Sequence, residues 1–439
     1  MNIIFIYWAT TQTTMIQTIR GFRDILPGDT ALWQTIEKTA SQLFEDFGFQ
    51  EIRLPVIEKT ELFARSIGEV TDIVEKEMYT FPDRKGSNIT LRPEATASVV
   101  RSYIQHKMYA ADPIKKLYTI GPMFRRERPQ KGRYRQFYQI DAEVFGISSP
   151  FMDAQMILML NELFKRLGLT DLTAHINSLG CPECRPAFQQ ALLDFLTSKK
   201  DQLCSNCKRR MDKNPLRTLD CKVPECRSAL KEAPTTLDHL CSGCSDHFDT
   251  VKATLEKQGV EFIVDKTLVR GLDYYSRTAF EIQTTALGAQ SAVAGGGRYD
   301  ALVKELGGPE MPAIGFAIGF DRLAEVMEQL KGPGEAKTPN LFIIPLGERA
   351  MEKAYLWSSE LNLKGILCET DYAGKSLKAL MKRADKLNAG YVLIAGDKEL
   401  DDNALVLRDM KTREQTTVPS DDPIDNIIKI LTDKGTIRD

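Results

Sequence analysis

From Lys116 to Gly146 the chain reads KLYTIGPMFRRERPQKGRYRQFYQIDAEVFG, two strand-like flanks around a loop with six cationic side chains between Arg125 and Arg135. The whole chain is nearly neutral, with 58 basic against 60 acidic residues, so this local excess of positive charge reads as a site for a polyanion. The downstream flank alternates with the period of a strand. Tyr138, Ile140, Ala142 and Val144 are expected to face a core, and Gln139, Asp141 and Glu143 to share the opposite face. A polar and acidic face entered from a basic loop suits a ligand that carries phosphates and a cationic nitrogen. A hairpin with a solvated outer face has the same pattern.

A chain of 439 residues, 43% hydrophobic and 27% charged, is ordinary for two or three globular domains. No apolar run approaches the ~20 residues of a membrane helix. The N-terminal MNIIFIYWATTQTT lacks the positive start and cleavage site of a signal peptide, so a cytoplasmic protein with no membrane partner is expected. Met15 resembles a second start and precedes the first well-patterned segment. Residues 1–14 are therefore expected to be a disordered extension.

Ala31 to Phe47 has apolar residues at helical spacing, and Gln50 to Val56 alternates like a strand ended by Pro55. Eight of the nine cysteines then fall within the 64 residues from Cys181 to Cys244, which predicts an inserted helical module over 181–250. Strand-like sequence resumes near Thr267. KGPGEAKTP, Lys331 to Pro339, reads as a linker, and NLFIIPLG, GILCETD, YVLIAG and ALVLRD beyond it predict an α/β domain over 340–439.

Four core segments look like parts of one site. TLRPEATA, Thr90 to Ala97, is expected to be a strand that turns at Pro93 into a helix, with Glu94 and Thr96 exposed at the junction. These two residues suit an ammonium group or a helix cap equally. In the basic hairpin, Arg125 and Arg133 are the best phosphate contacts, because the guanidinium fork binds phosphate oxygens bidentately. LVRGLDYYSRTAFEI, Leu268 to Ile282, and AGGGRYD, Ala294 to Asp300, suggest a tight pocket wall, although a hairpin turn is the simpler reading of the glycine triplet. In PAIGFAIGFDRL, Pro312 to Leu323, a strand passes into a helix with Arg322 in its first turn. That placement opposes the macrodipole unless an anion sits there or the side chain bends into solvent. No nucleophile stands out, so catalysis would rest on positioning reactants and stabilising developing phosphate charge.

The strand around Pro55, Arg125 to Gly146 and Pro312 to Leu323 resemble motifs 1, 2 and 3 of class II aminoacyl-tRNA synthetases. LVRGLDYYSRTAFEI and AGGGRYD resemble the two signatures of the histidyl-tRNA synthetases. The resemblance implies a multidomain α/β protein: a class II antiparallel β-sheet core flanked by helices over 15–335, a helical insertion, a C-terminal anticodon-binding domain and a homodimer. It implies ATP-dependent ligation of L-histidine to tRNA through a histidyl-adenylate, with Mg²⁺. Arg125 would contact the ATP α-phosphate, Glu127 the adenine, and Arg133 with Arg322 the distal phosphates. Arg270 would stabilise the α-phosphate and the substrate carboxylate. Glu94, Thr96 and Gln139 would hold the amino group, and Glu143 and Tyr275 the imidazole nitrogens, with Tyr274 nearby. Ala95 stands where the family usually has glycine, and Asp321 where it has glutamate, which bears on how a metal-bound triphosphate is held.

Cys181 with Cys184, Cys204 with Cys207, Cys221 with Cys226 and Cys241 with Cys244 form four chelating pairs, the first two 19 residues apart and so within zinc-ribbon spacing, which makes structural zinc a candidate against buried free thiols. Lys199 to Arg217 carries seven basic residues against two acidic ones and suggests contact with the tRNA acceptor arm. Lys375, Lys378, Lys382, Arg383 and Lys386 form a helical stripe that suits RNA backbone or solvent. Two other readings are a synthetase-like regulatory subunit, whose relatives typically lose the RGLDYY signature and the C-terminal domain, and a zinc-dependent RNA-binding protein without catalysis.

Overall fold

In the computed structural model the described residues are 15–436, apart from 69–70, 72, 131, 220, 222, 285–291, 333 and 335–336. The extension expected over 1–14 lies outside them. The chain divides into two compact units, Met1–Gly334 and Glu335–Asp439.

The first unit is built on an eight-stranded sheet. Its order is Gln50–Glu51, Lys115–Phe124, Gln136–Phe145, Ala313–Gly319, Ala292–Arg298, Ser276–Gln283, Thr173–Ser178 and Phe262–Val264. The six inner strands pair antiparallel, and each short edge strand pairs parallel. The alternation read from the sequence holds: Ile140, Ala142 and Val144 are fully buried against one face, and Tyr138 packs at the margin of the same core. That face is covered by the helices Asp29–Asp46, Pro150–Arg166, Ser242–Lys257 and Phe320–Lys331, which supply among others Phe44, Leu160, Val251 and Leu323. Trp33 stacks on Phe320, with ring centroids 4.2 Å apart, and ties the first helix to the last. The opposite sheet face is shared between a second apolar cluster, in which Leu117, Phe145, Ala279 and Ala313 pack with Val99, Val100 and Tyr103 of the helix Thr96–Gln105, and the polar side chains of the site.

Three expectations need correction. The strand predicted over Gln50–Val56 is only Gln50–Glu51. After Ile52 donates to Tyr118 the chain leaves the sheet, and the carbonyls of Leu54 and Val56 are taken by Arg92. The triplet Gly295–Gly297 is not a hairpin turn but lies inside the strand Ala292–Arg298, paired on both sides. The module boundary at 250 cuts the helix Ser242–Lys257, whose Phe248, Val251 and Leu255 belong to the main core. A separate small core runs from Phe188 to Leu230.

The second unit has a five-stranded sheet of order Cys368–Thr370, Leu341–Leu346, Tyr391–Gly396, Leu405–Asp409 and Gln415–Val418, the first three parallel and the last two antiparallel. Helices cover both faces, as the near-continuous apolar runs of the parallel strands require. Lys375 and Arg383 of the basic stripe are ion-paired to the buried Asp371, which leaves Lys378, Lys382 and Lys386 as its exposed members not tied to that carboxylate. Among the described residues no helix is long and apolar enough to cross a membrane.

Candidate active site

The polar sheet face forms one wall of a cavity of about 260 Å³, lined by residues from all four segments singled out above. Arg125 and Arg133 come from the basic hairpin, Arg270 from the loop before Ser276–Gln283, and Arg322 from the first turn of Phe320–Lys331. Guanidinium groups up to 197 positions apart in sequence thus share one space. Burial and the neighbouring Arg133 hold the Arg322 pKa below its usual value, and Nη1 of Arg322 donates to the Ala292 carbonyl at 2.9 Å. Glu127 lies among these cations, 2.5 Å from Nε of Arg133 and 4.0 Å from Nη1 of Arg125. The remaining hairpin cations are not all part of this cluster. Arg135 donates to the backbone of Glu127 and Arg20, and Arg126 lines a separate hollow.

Arg270 lies against the sheet, its Nη1 2.5 Å from Glu281 and its guanidinium 5.4 Å from the Tyr275 ring centre. A Cβ at Gly295 would sit 2.5 Å from this guanidinium, so glycine across the strand pair from Glu281 leaves Arg270 room to lie there.

The other end of the cavity is acidic. Glu94, Thr96, Gln139, Asp141, Tyr274 and Tyr275 line it. Glu94 and Thr96, expected to be exposed, are 3% and 7% accessible because their junction turns inward. Glu94 Oε1 accepts from the Ala97 N–H at 2.9 Å, capping Thr96–Gln105, and the residue also lines the cavity. Ala95 has φ −98°, a conformation open to any residue, so glycine is not required there.

Glu143 stands behind the cavity wall rather than on it. Thr96 Oγ1 donates to its Oε1 at 2.6 Å and the Tyr299 hydroxyl to its Oε2 at 2.5 Å. A Cβ at Gly315 would fall on Oε2, so only glycine leaves room for this carboxyl. Burial raises the Glu143 pKa to about 8, against the pull of those two donors. Asp141 is raised well above the carboxylate range by burial and by Glu143 and Glu94. Neither Asp141 oxygen has a hydrogen-bond partner, and the same is true of Gln139 Oε1 and the Tyr274 hydroxyl. Unpaired buried acceptors at a cavity wall are sites for a donor-bearing ligand.

Asp321, at the motif 3 position, is engaged elsewhere. Its Oδ1 accepts from Arg23 and its Oδ2 from the Tyr138 N–H, each at 2.8 Å, so it fixes the helix to the hairpin strand. Sequence reasoning gave no role to Tyr299 or Glu281, although Tyr299 follows the glycine triplet, and it placed Asp141 only on the polar face shared with Gln139 and Glu143.

The eight cysteines form two groups. Cys181, Cys184, Cys241 and Cys244 make one, and Cys204, Cys207, Cys221 and Cys226 the other, with the sulfurs of each within 4.8 Å of one another. In the first group Cys181 Sγ lies 3.7 Å from Cys184 and 3.8 Å from Cys241, and Cys184 Sγ 3.9 Å from Cys244; in the second, Cys204 and Cys221 are 3.9 Å apart. A tetrahedron with Zn–S of about 2.3 Å has edges of about 3.8 Å, whereas a disulfide needs about 2.05 Å. Backbone N–H groups of Cys181 and Cys204 donate to Cys184 and Cys226 sulfurs at 3.1 and 3.0 Å.

Comparison with known proteins agrees with the geometry. A family model for histidyl-tRNA synthetase matches residues 21–323, and one for an anticodon binding domain matches 340–430. A histidine-tRNA ligase of Desulforapulum autotrophicum is 81% identical over 97% of this chain and all of its own. Another, of Desulfosudis oleivorans, is 60% identical over 93% of this chain and 96% of its own. The apo histidyl-tRNA synthetase of S. aureus superposes with a TM-score of 0.80 at 35% identity, covering 94% of this chain and 100% of that one. Fold, cavity and sequence relationship lead to one assignment: the chain belongs to the histidyl-tRNA synthetase family.

Proposed function

We propose that the cavity binds ATP at its arginine end and L-histidine at its acidic end, and that the protein joins histidine to its tRNA through a histidyl-adenylate. The observation that carries this reading is the juxtaposition in one cavity of converging arginines with a wall of unpaired buried acceptors. The first suits a triphosphate and the second an amino acid bearing an ammonium and a nitrogen heterocycle.

Arg125 takes the α-phosphate, Arg133 and Arg322 the distal phosphates, and Glu127 the adenine amino group. Glu94, Thr96 and Gln139 hold the substrate ammonium. Glu143 and Tyr275 take the imidazole nitrogens beside Tyr274, since each Glu143 oxygen keeps a second lone pair after accepting from Thr96 or Tyr299. Arg270 lies between the two ends. A histidine carboxylate oxygen attacks the α-phosphorus in line, the bond to the bridging oxygen breaks, and pyrophosphate leaves. The terminal ribose hydroxyl of the tRNA then attacks the acyl carbon and AMP leaves. Mg²⁺ bound with the nucleotide would spread phosphate charge, and Glu127 and Glu281, both on the arginine side of the cavity, are carboxylates that would suit it.

The same reading gives 15–335 as the catalytic domain, 340–439 as the anticodon-binding domain, and the cytoplasm as the place of action. Lys378, Lys382 and Lys386 suit the RNA backbone. A homodimer accounts for the exposed apolar Val56 and Ile57 near the short edge strand of the motif 1 segment. The two cysteine groups suit structural zinc.

Histidine-dependent exchange of pyrophosphate into ATP tests the reading, and a folded protein without such exchange overturns it. Arg133→Ala is expected to raise the KM for ATP about tenfold, from loss of one charge-assisted phosphate contact, with the histidine KM nearly unchanged. An equal rise in both counts against the division of the cavity. Glu143 supplies a pH test, being protonated in the free protein below about 8. Binding an imidazole N–H to its carboxylate then costs a proton, so the histidine KM is expected to rise about tenfold for each pH unit below that value. Glu143→Gln should weaken histidine binding more than ATP binding and flatten the profile. A wild-type histidine KM that does not change between pH 6.5 and 8.5 rejects this role.

A further inference from the structure

The segment from Arg270 to Tyr275 carries three of the proposed substrate contacts but belongs to neither helix nor strand. Tyr274 and Tyr275 are anchored in the core beside Tyr299, and the polar support of the loop before them comes largely from the cysteine-rich module. Asp273 Oδ1 accepts from Asn214 Nδ2 at 3.0 Å and from Nε and Nη2 of Arg217 at 3.2 and 3.1 Å. Nη2 of Arg217 also donates to the Gly271 carbonyl at 2.7 Å. Arg217 was grouped by sequence with the basic stretch expected to meet tRNA; its guanidinium is spent on this loop instead.

Asn214 and Arg217 lie in one short turn bracketed by cysteines of the same group. The helix Ser205–Lys213 carries Cys207 and ends at Asn214. The turn Pro215–Thr218 follows, and the Cys221 N–H donates to the Thr218 carbonyl at 3.1 Å. The core beneath is small, and its buried members include Cys207, Cys221 and Cys226 beside Phe188, Leu192 and Leu196. With so little apolar area, the shape of the turn depends on what joins the four sulfurs. A zinc held by these four sulfurs would close the loop from Cys207 to Cys221 and remove alternative turn conformations.

We infer that zinc at Cys204, Cys207, Cys221 and Cys226 holds Asn214 and Arg217 as positioning residues on Asp273, so that metal occupancy governs affinity for histidine more than for ATP. The inference rests on the histidine-activating reading above. Arg270 also faces phosphate, but Arg125, Arg133 and Arg322 are carried by the hairpin and the Phe320–Lys331 helix, outside the clamped segment. Loosening that segment therefore falls first on the amino-acid end, where Tyr274 and Tyr275 reside.

The test uses the full-length protein. Elemental analysis is expected to give two zinc ions per protomer, falling to one in Cys204→Ser/Cys207→Ser and remaining at two in Arg217→Ala. In pyrophosphate exchange both variants should raise the histidine KM about tenfold while the ATP KM moves less than about twofold. Combining them should add little beyond either alone, since both release the same contact. Should the serine variant fold poorly, stripping wild-type protein with a chelator and restoring zinc provides the same comparison, with the rise in histidine KM reversed on restoration. A wild-type protein without zinc at Cys204, Cys207, Cys221 and Cys226, an unchanged histidine KM in Arg217→Ala, or equal rises in both KM values overturns the inference. Absence of all histidine-dependent exchange fails the parent reading instead, and the zinc content remains readable without it.

Discussion

Replacing Arg270 with alanine is expected to lower the rate of histidine-dependent pyrophosphate exchange by about a hundred- to a thousandfold, the range found when one preorganised donor to developing transition-state charge is removed. The residue is held for such a task. Glu281 at 2.5 Å and the Tyr275 ring hold its guanidinium against the sheet, and the missing side chain at Gly295 gives it the space. It lines the cavity with both the arginine cluster and the acidic end, where the attacking carboxylate and the α-phosphate must meet. A group that acts mainly on the pentacovalent phosphorus lowers kcat, so the loss should fall on kcat more than on either KM. Arg270→Lys keeps the charge without the planar fork and should recover only part of the rate. The thermal midpoint should move little, because Glu281 remains at a hydrated cavity wall. A loss below tenfold, or one confined to the histidine KM, would show that Arg270 only binds substrate.

How much of this site was legible depended on the kind of residue. The arginines stood out because charge is conspicuous, and alternation along Phe137–Phe145 assigned both strand faces correctly. The acidic wall was readable for the same reason: Gln139, Asp141 and Glu143 are two apart. Burial was not readable. Glu94 and Thr96 look like solvent-facing helix starters, and only the closing of four distant segments around them makes them part of a cavity wall. The glycine triplet misled because glycine signals a turn locally, whereas here the absent side chains leave space for partners contributed by other segments, among them Arg270. The pairing of the cysteines was hidden for a related reason. The outer group joins pairs 60 residues apart and encloses the inner one, an arrangement that spacing along the chain does not specify. The clamp of Arg217 on Asp273 spans 56 positions and had no periodic signal at all.

The largest loss of stability is expected from Arg298→Ala, at about 3–5 kcal/mol, the range for breaking a buried ion pair by removing one partner. Arg298 and Asp153 are both fully inaccessible. Arg298 Nε donates to the two Asp153 oxygens at 2.8 and 3.0 Å, and its Nη2 donates to the carbonyls of Ile147 and Ser149 at 2.9 and 3.2 Å. His247 Nε2 lies 2.8 Å from Asp153 Oδ2, so removal of Arg298 leaves a carboxylate in the core with imidazole alone for company. The network joins the end of the strand Ala292–Arg298 to the start of Pro150–Arg166 and to Ser242–Lys257, three elements that meet nowhere near one another in sequence. It also sets the position of the next residue, Tyr299, whose hydroxyl is bound to Glu143. Urea unfolding should show a lower midpoint with the slope unchanged. The double replacement Arg298→Met with Asp153→Leu should recover part of the loss, because it removes both charges at once. Recovery stays incomplete, since His247 then lacks its acceptor. If the single and double replacements unfold at the same urea concentration, the penalty comes from lost packing and not from an uncompensated charge, and the pair would then be no more than a filler of space between strand and helix.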